Sequence, residues 1–352
     1  MKLLVCGHFG HGMSGLNGQT IKTRVLTQGL QSAVGDGAVD TLDTSKLHKR
    51  PLSFYAAARR KFAHASQVIL LPGPRGVRVL LSLFLRWRGH SNRDLRYIVI
   101  GGWLPELIAT NRRLRDACGK LDGIYVETQA MADNLRAQRL PNVHVMPNFR
   151  WFDRNMERRY APATHPLKLV FCARVFKEKG IEDAVAAVEQ VNRRAGGTVA
   201  RLDVYGPIED SYRSRFLQLM SRSNAATYKG VIEPAAIYAA LQSYDLMVFP
   251  TYYSDEGFPG TIVDAFIAGV PVLASDWRYN REFIEDGRTG ALHVAKSPER
   301  LAEGLETFTT APERLAAMRI HCIEQSRQYH VDQALRGLLQ DMCASEMRRN
   351  GR

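Results

Sequence analysis

The chain has 352 residues, 45% hydrophobic and 24% charged, which excludes a disordered, collagen-like or coiled-coil protein and leaves room for two domains. Its five cysteines are scattered and form no C-x-x-C pair, which argues against a disulfide framework or zinc site and fits a reducing cytosol. The net charge of +13 is uneven: residues 1–163 carry 25 basic and 11 acidic residues, so this half favours anionic partners such as nucleic acid, phosphorylated ligands or an anionic membrane face.

Residues 2–7 read as a buried strand running into a glycine-rich loop and then a helix near 19–30. The opening apolar run is too short for a signal peptide, so secretion is not expected. The longest apolar run, 77–85, contains Arg78 and falls far short of the ~20 residues of a membrane span. Residues 52–62 and 75–88 suit helices that mix cations with aromatic and aliphatic side chains. They read either as interfacial anchors or as core helices with solvated rims; the charge of this half favours the anchor.

Further strands are expected at 68–71, 97–100, 123–126 and 143–146, with helices at 104–117 and 129–138. Trp103, after the 97–100 strand, could stack on a sugar or anchor a packed loop. Glu127, ending the 123–126 strand, could touch an acceptor hydroxyl or be a charged loop residue. The stretch 150–166 is charged, holds two prolines and lacks periodicity, so it reads as a linker. Strands then resume at 168–172, 201–205, 226–229, 246–249 and 271–274, with helices between, the first at 181–194. Strands alternating with helices imply parallel sheets. The expectation is an α/β protein of two doubly wound, Rossmann-like domains facing a cleft. The domains are 1–150 and 167–330, joined by a linker at 151–166. A C-terminal helix in 331–352 packs back on the first domain.

The densest signal follows the 246–249 strand. Glu256, Gly257, Phe258, Pro259, Gly260 and Thr261 lead into a helix, and Asp264 lies one turn further in. The small residues allow close backbone approach, and the first helical amides form a phosphate site. Asp264 suits a vicinal ribose diol, and Glu256 could hold sugar hydroxyls. The bland reading is a dipole-complementing aspartate and a solvated loop acid. A second signal follows the 168–172 strand, where Arg174 and Lys179 flank a helix start. Cations are disfavoured there unless an anion lies between them, and a diphosphate is the obvious candidate. Lys177 reads as solvated.

These residues carry a resemblance. Arg174 with Lys179, Tyr205 with Gly206, Tyr228 with Gly230, the 256–264 string and the 280–290 segment stand in an order similar to the C-terminal half of the retaining GT-B glycosyltransferases, in particular family four. The resemblance implies that Arg174 and Lys179 contact a donor diphosphate, Glu256 the donor sugar and Asp264 the ribose. The family usually has Glu where Asp264 stands. Tyr205, Gly206 and Tyr228 would line the base pocket. In the first half, Gly18 and Gln19 match the family's loop facing the donor phosphates. That loop, which includes His8, His11, Gly12 and Gly15, lacks the G-x-G-x-x-G spacing of a dinucleotide fingerprint.

The implied function is transfer of a sugar, a hexose foremost, from a nucleotide diphosphate sugar to a hydroxyl of a glycan or lipid-linked acceptor. Configuration would be retained, in bacterial capsule, exopolysaccharide or lipopolysaccharide synthesis. The site would be cytoplasmic, at the inner face of the membrane. No D-x-D triplet occurs, so neither a metal nor another cofactor is indicated. The alternatives are a nucleotide-sugar epimerase of the same shape, a noncatalytic nucleotide-sugar sensor and a basic nucleic-acid-binding protein. The last leaves Glu256 and Asp264 unexplained, so nucleic acid is not the expected partner.

Overall fold

The computed structural model describes residues 2–10, 18–47, 50–89, 91–158 and 163–350. Among these residues two parallel six-stranded sheets carry the fold. The first contains β1 (Leu3–Gly7), β2 (Val39–Asp43), β3 (Gln67–Leu71), β4 (Asp94–Ile98), β5 (Gly123–Val126) and β6 (Val143–Val145). Its order is β2-β1-β3-β4-β5-β6. The connecting helices are α1 (Gly18–Val34), α2 (Pro51–His64), α3 (Pro74–Arg88), α4 (Leu104–Ala109), α5 (Arg112–Cys118) and α6 (Gln129–Ala137).

The second sheet contains β7 (Leu167–Cys172), β8 (Ala200–Tyr205), β9 (Ala226–Gly230), β10 (Leu246–Phe249), β11 (Val272–Ser275) and β12 (Gly290–His293). Its order is β12-β11-β10-β7-β8-β9. Its helices are α7 (Ile181–Arg194), α8 (Arg213–Arg222), α9 (Ile237–Leu241), α10 (Gly260–Ala268), α11 (Pro298–Thr310) and α12 (Arg314–Ser326). The chain ends in α13 (Val331–Ala334) and α14 (Arg336–Asn350). Two compact units result: Met1–Trp151 with Tyr329–Arg352, and Phe152–Gln328.

Apolar strands buried on both faces require helices on both sides, and each unit has them. In the first, Leu26 and Leu30 of α1 share a core with Val331, Leu338 and Met342 of the terminal helices. In the second, α7 and α11 cover one face of the sheet through Val185, Val188, Leu301 and Leu305.

Several elements differ from expectation. β2 and β12 were not anticipated. β2 is an edge strand with only Leu42 buried, so it has no apolar run to reveal it. The strand expected at 97–100 is β4, which begins earlier because two charged residues, Asp94 and Arg96, are buried in it. Arg96 pairs with Asp94 at 3.4 Å and also donates to Gln67 Oε1 (2.8 Å), Ser345 Oγ (2.9 Å) and the Asp341 carbonyl (3.1 Å). The helix expected at 104–117 is two helices, since Asn111 Oδ1 accepts from the Leu114 amide at 3.0 Å and starts α5 afresh. The stretch expected as a free linker is attached to the second unit. Arg158 donates to the Ile267 carbonyl at 3.0 Å, and Thr164 donates to Asp245 at 2.6 Å.

Candidate active site

In each sheet the strand order reverses beside the first strand, and ligands of such sheets bind beyond the carboxyl ends at that point. In the second unit the reversal lies between β7 and β10. The two loops leaving those ends carry both sequence signals, 173–180 and 250–259.

The turn from β7 into α7 is compressed against the end of β10. Gly180 has φ +77°, and a Cβ there would sit 2.2 Å from the Pro250 carbonyl oxygen. Only glycine allows this approach. It brings Lys179 over to the β10 loop, where its ammonium donates to Glu256 Oε2 at 2.5 Å. Thr251 Oγ1 donates to the same oxygen at 2.9 Å. Lys179 and Glu256 are each 8% exposed and Thr251 is fully buried. The Lys179 ammonium lies 5.4–5.9 Å from the ring centres of Phe176, Phe249 and Tyr253. Arg174 is exposed and lies over the Phe176 ring at 4.8 Å. Lys177 is also exposed.

Helix α10 starts without a side-chain cap, and its first turn closes with the Ile262 amide donating to the Pro259 carbonyl at 3.1 Å. The amides of Gly260 and Thr261 precede that bond and sit at the positive end of the helix. Thr261 is tied down by its hydroxyl, which donates to the Cys172 carbonyl at 2.5 Å and joins α10 to the end of β7. Burial pushes the Cys172 thiol up to about 12, and the nearby charge of Asp264 adds to the effect. Asp264 is half-buried and lies one turn into α10. Phe258 stacks on Phe283 with ring centres 3.6 Å apart, so its side chain is packing and its backbone borders the loop.

Just after β8, Gly206 has φ +136° and its Cα faces the Ala173 carbonyl; a Cβ would lie 1.8 Å from that oxygen. Tyr205 is hydrogen-bonded through its hydroxyl to Tyr244 at 2.9 Å, and Tyr244 donates to Asp203. Tyr228 donates to the Gly206 carbonyl at 3.0 Å. Both tyrosine hydroxyls thus shape the β8–β9 end through contacts within the protein.

The profile of the family described as glycosyl transferases group 1 matches residues 153–328, half of the chain. The chain belongs to that family. The chain is similar to glycogen synthase of Mycobacterium tuberculosis, 26% identical over 156 residues, which is 43% of this chain and 36% of the relative. A GDP-mannose-dependent alpha-mannosyltransferase of Mycolicibacterium smegmatis is 30% identical over 175 residues, 47% of this chain and 42% of the relative. The chain thus matches about two fifths of the length of these curated relatives. Anabaena HepE, solved with UDP and glucose, is similar in fold. Its TM-score is 0.76 at 15% identity, covering 98% of this chain and all of HepE. The fold is GT-B, with two Rossmann-like domains.

The first unit of this group 1 protein places its own signals at the corresponding reversal, between β1 and β3. Gln19, in the first turn of α1, donates to the Leu71 carbonyl at 3.2 Å, and Gly18 is exposed beside it. Arg24 donates to the Phe9 carbonyl at 2.9 Å and braces the chain leaving β1. His8 and Gly10 are described, but His11, Gly12 and Gly15 lie outside the described residues.

The structure buries both acceptor-side candidates. Trp103 is 7% exposed and its indole N–H donates to the Ile100 carbonyl at 2.8 Å, so the side chain is packed as an anchor of its loop. Glu127 is 2% exposed. Its Oε1 accepts from Lys22 at 2.6 Å and its Oε2 from the Gly101 amide at 3.2 Å. It ties α1 to the loops after β4 and β5, and is not a solvated loop acid. Sequence reasoning missed Lys22 and Thr251. Lys22 lies in an amphipathic helix that reads as ordinary, and Thr251 has only its place after a buried strand as a signal.

Proposed function

We propose that the protein is a retaining glycosyltransferase that moves a sugar, a hexose foremost, from a nucleotide diphosphate sugar to a hydroxyl of a glycan or lipid-linked acceptor. The acceptor would belong to surface-polysaccharide assembly at the inner face of the membrane. The observation that carries this reading is the buried Lys179–Glu256 pair beside the open start of α10. Departure of a diphosphate concentrates negative charge on its oxygens. Fixed positive groups stabilise that charge more than they stabilise the ground state. Lys179 has donors left after its bond to Glu256, Arg174 supplies a fork, and the Gly260 and Thr261 amides supply dipoles. These groups provide the countercharge without a metal.

Glu256 can accept from a sugar hydroxyl while held by Lys179 and Thr251, which links sugar orientation to the phosphate site through one carboxylate. Asp264 would take the ribose diol, and Tyr205, Gly206 and Tyr228 would border the base. Retention follows from attack on the face the diphosphate leaves, guided by the same cations.

A thermal-shift panel of nucleoside diphosphates and their sugars tests the site, since a ligand at about 100 times its Kd adds about 2.7 kcal/mol of stability. One nucleotide series should raise Tm in the wild type. Glu256→Gln should keep the nucleoside diphosphate shift and lose transfer by about a hundredfold or more. Full transfer in that variant, or no shift with any nucleotide, would refute the assignment. Release of product without acceptor would favour the epimerase, and binding without turnover the sensor.

A further inference from the structure

Between Asp43 and Asp94 the chain carries eleven basic residues and no acidic one. Helices α2 and α3 lie inside this stretch and pack side by side. Tyr55 meets Trp87 at 5.1 Å between ring centres, and Phe62 meets Phe84 at 5.5 Å. Their inward faces bury Phe54, Ala58 and Phe62 from α2 and Val77, Leu80 and Phe84 from α3.

Their outward faces are continuous stripes at helical spacing. On α2, Leu52, Tyr55 and Arg59 repeat at three and four residues, with Arg60 alongside; on α3, Arg75, Arg78, Ser82 and Arg86 do the same. Leu52 is 87% exposed and Val79 56%, so large apolar side chains stand among the cations. Lys61 and Arg88 are neutralised by Asp40 and Asp122 at 2.5 and 3.0 Å, acids from outside the stretch. Among the described residues Arg60, Arg75, Arg78 and Arg86 have no carboxylate partner. Arg75 also stands in the first turn of α3, where the helix dipole opposes a cation and no acid offsets it.

We propose that the outer face of α2 and α3 docks on an anionic phospholipid bilayer. Phosphate headgroups satisfy the unpaired guanidiniums, and the interfacial zone receives Leu52, Tyr55 and Val79. A nucleic acid would satisfy the cations but offer no apolar medium for Leu52 and Val79. The proposal deepens the functional reading, and rests on it only for the purpose of docking, which is to reach a lipid-linked acceptor.

The test is co-sedimentation of the full chain with vesicles of phosphatidylglycerol and phosphatidylcholine, or of phosphatidylcholine alone, at low and high salt. The wild type should partition to the anionic vesicles and be released by salt. Each surface cation contributes about fivefold to partitioning, so Arg60→Gln, Arg78→Gln and Arg86→Gln together should lower it by about a hundredfold. Tm and the nucleotide shift should not change in that variant. Leu52→Ser with Val79→Ser should weaken vesicle binding severalfold at constant charge, a loss that a purely ionic contact does not predict. Equal binding to both vesicle types, an unaffected triple variant, or preference for an oligonucleotide that anionic vesicles cannot displace would overturn the proposal. Vesicle binding without any nucleotide shift would instead sink the donor-site reading and leave the docking surface standing.

Discussion

Lys179 and Glu256 stand 77 positions apart and meet in a nearly dry environment. Removing one member of such a pair leaves the other charge buried and costs about 3–5 kcal/mol, whereas removing both is far cheaper. Lys179→Met should therefore destabilise the second unit by roughly that amount. Lys179→Met with Glu256→Gln should recover most of the loss by chemical denaturation while transfer stays abolished. Additive losses in that cycle would show that the two side chains are not coupled.

His293 gives a second prediction at this scale. Its Nδ1 is bonded to the Val294 carbonyl at 2.9 Å, and its Nε2 is buried without a partner among the described residues. Burial holds its pKa below the ordinary 6.5, and the carbonyl opposes this more weakly. The unfolded chain then binds the proton more tightly than the folded one. Stability is intact above pH 6.5 and declines as the pH falls below it. The Tm of His293→Asn should fall less steeply than wild type on acidification through that range. Parallel slopes would exclude His293 as the source.

At the scale of elements, the site depends on how closely strand ends and helix starts approach. Gly206→Ala would push a methyl into the Ala173 carbonyl and separate β8 from the loop holding Arg174. The expected loss is about 2–4 kcal/mol in denaturant midpoint stability, accompanied by weaker nucleotide binding. Stability within error of wild type would mean that the strand ends can separate freely. The parallel apolar strands and the start of α10 were legible because burial on both faces and a glycine-rich helix start leave local marks. β2 left none, since an edge strand needs no apolar run. The break between α4 and α5 was hidden because one asparagine cap decides it.

For the whole molecule, the chain leaves the first unit at Trp151 and returns to it at Tyr329. The returning helices complete that unit: they add Val331, Leu338 and Met342 to its core and supply two of the acceptors for Arg96. A chain ending at Gln328 would expose that apolar surface and leave Arg96 buried with fewer partners. Its first unit should lose cooperative unfolding, while the second keeps its nucleotide-induced shift. A first unit that melts unchanged would refute the completing role. Among the described residues no helix is long and apolar enough to cross a membrane.

The amino-acid order alone determined the alternation of strands and helices, the two-sheet architecture and the loop-and-helix string around Glu256, because each is written within a short window of residues. Tertiary structure decided which charges are buried and whom they face. Lys22 with Glu127 and Lys179 with Glu256 are distant partners. A buried charge is stable only beside its counterpart, and that counterpart is chosen by the folding of the chain in space.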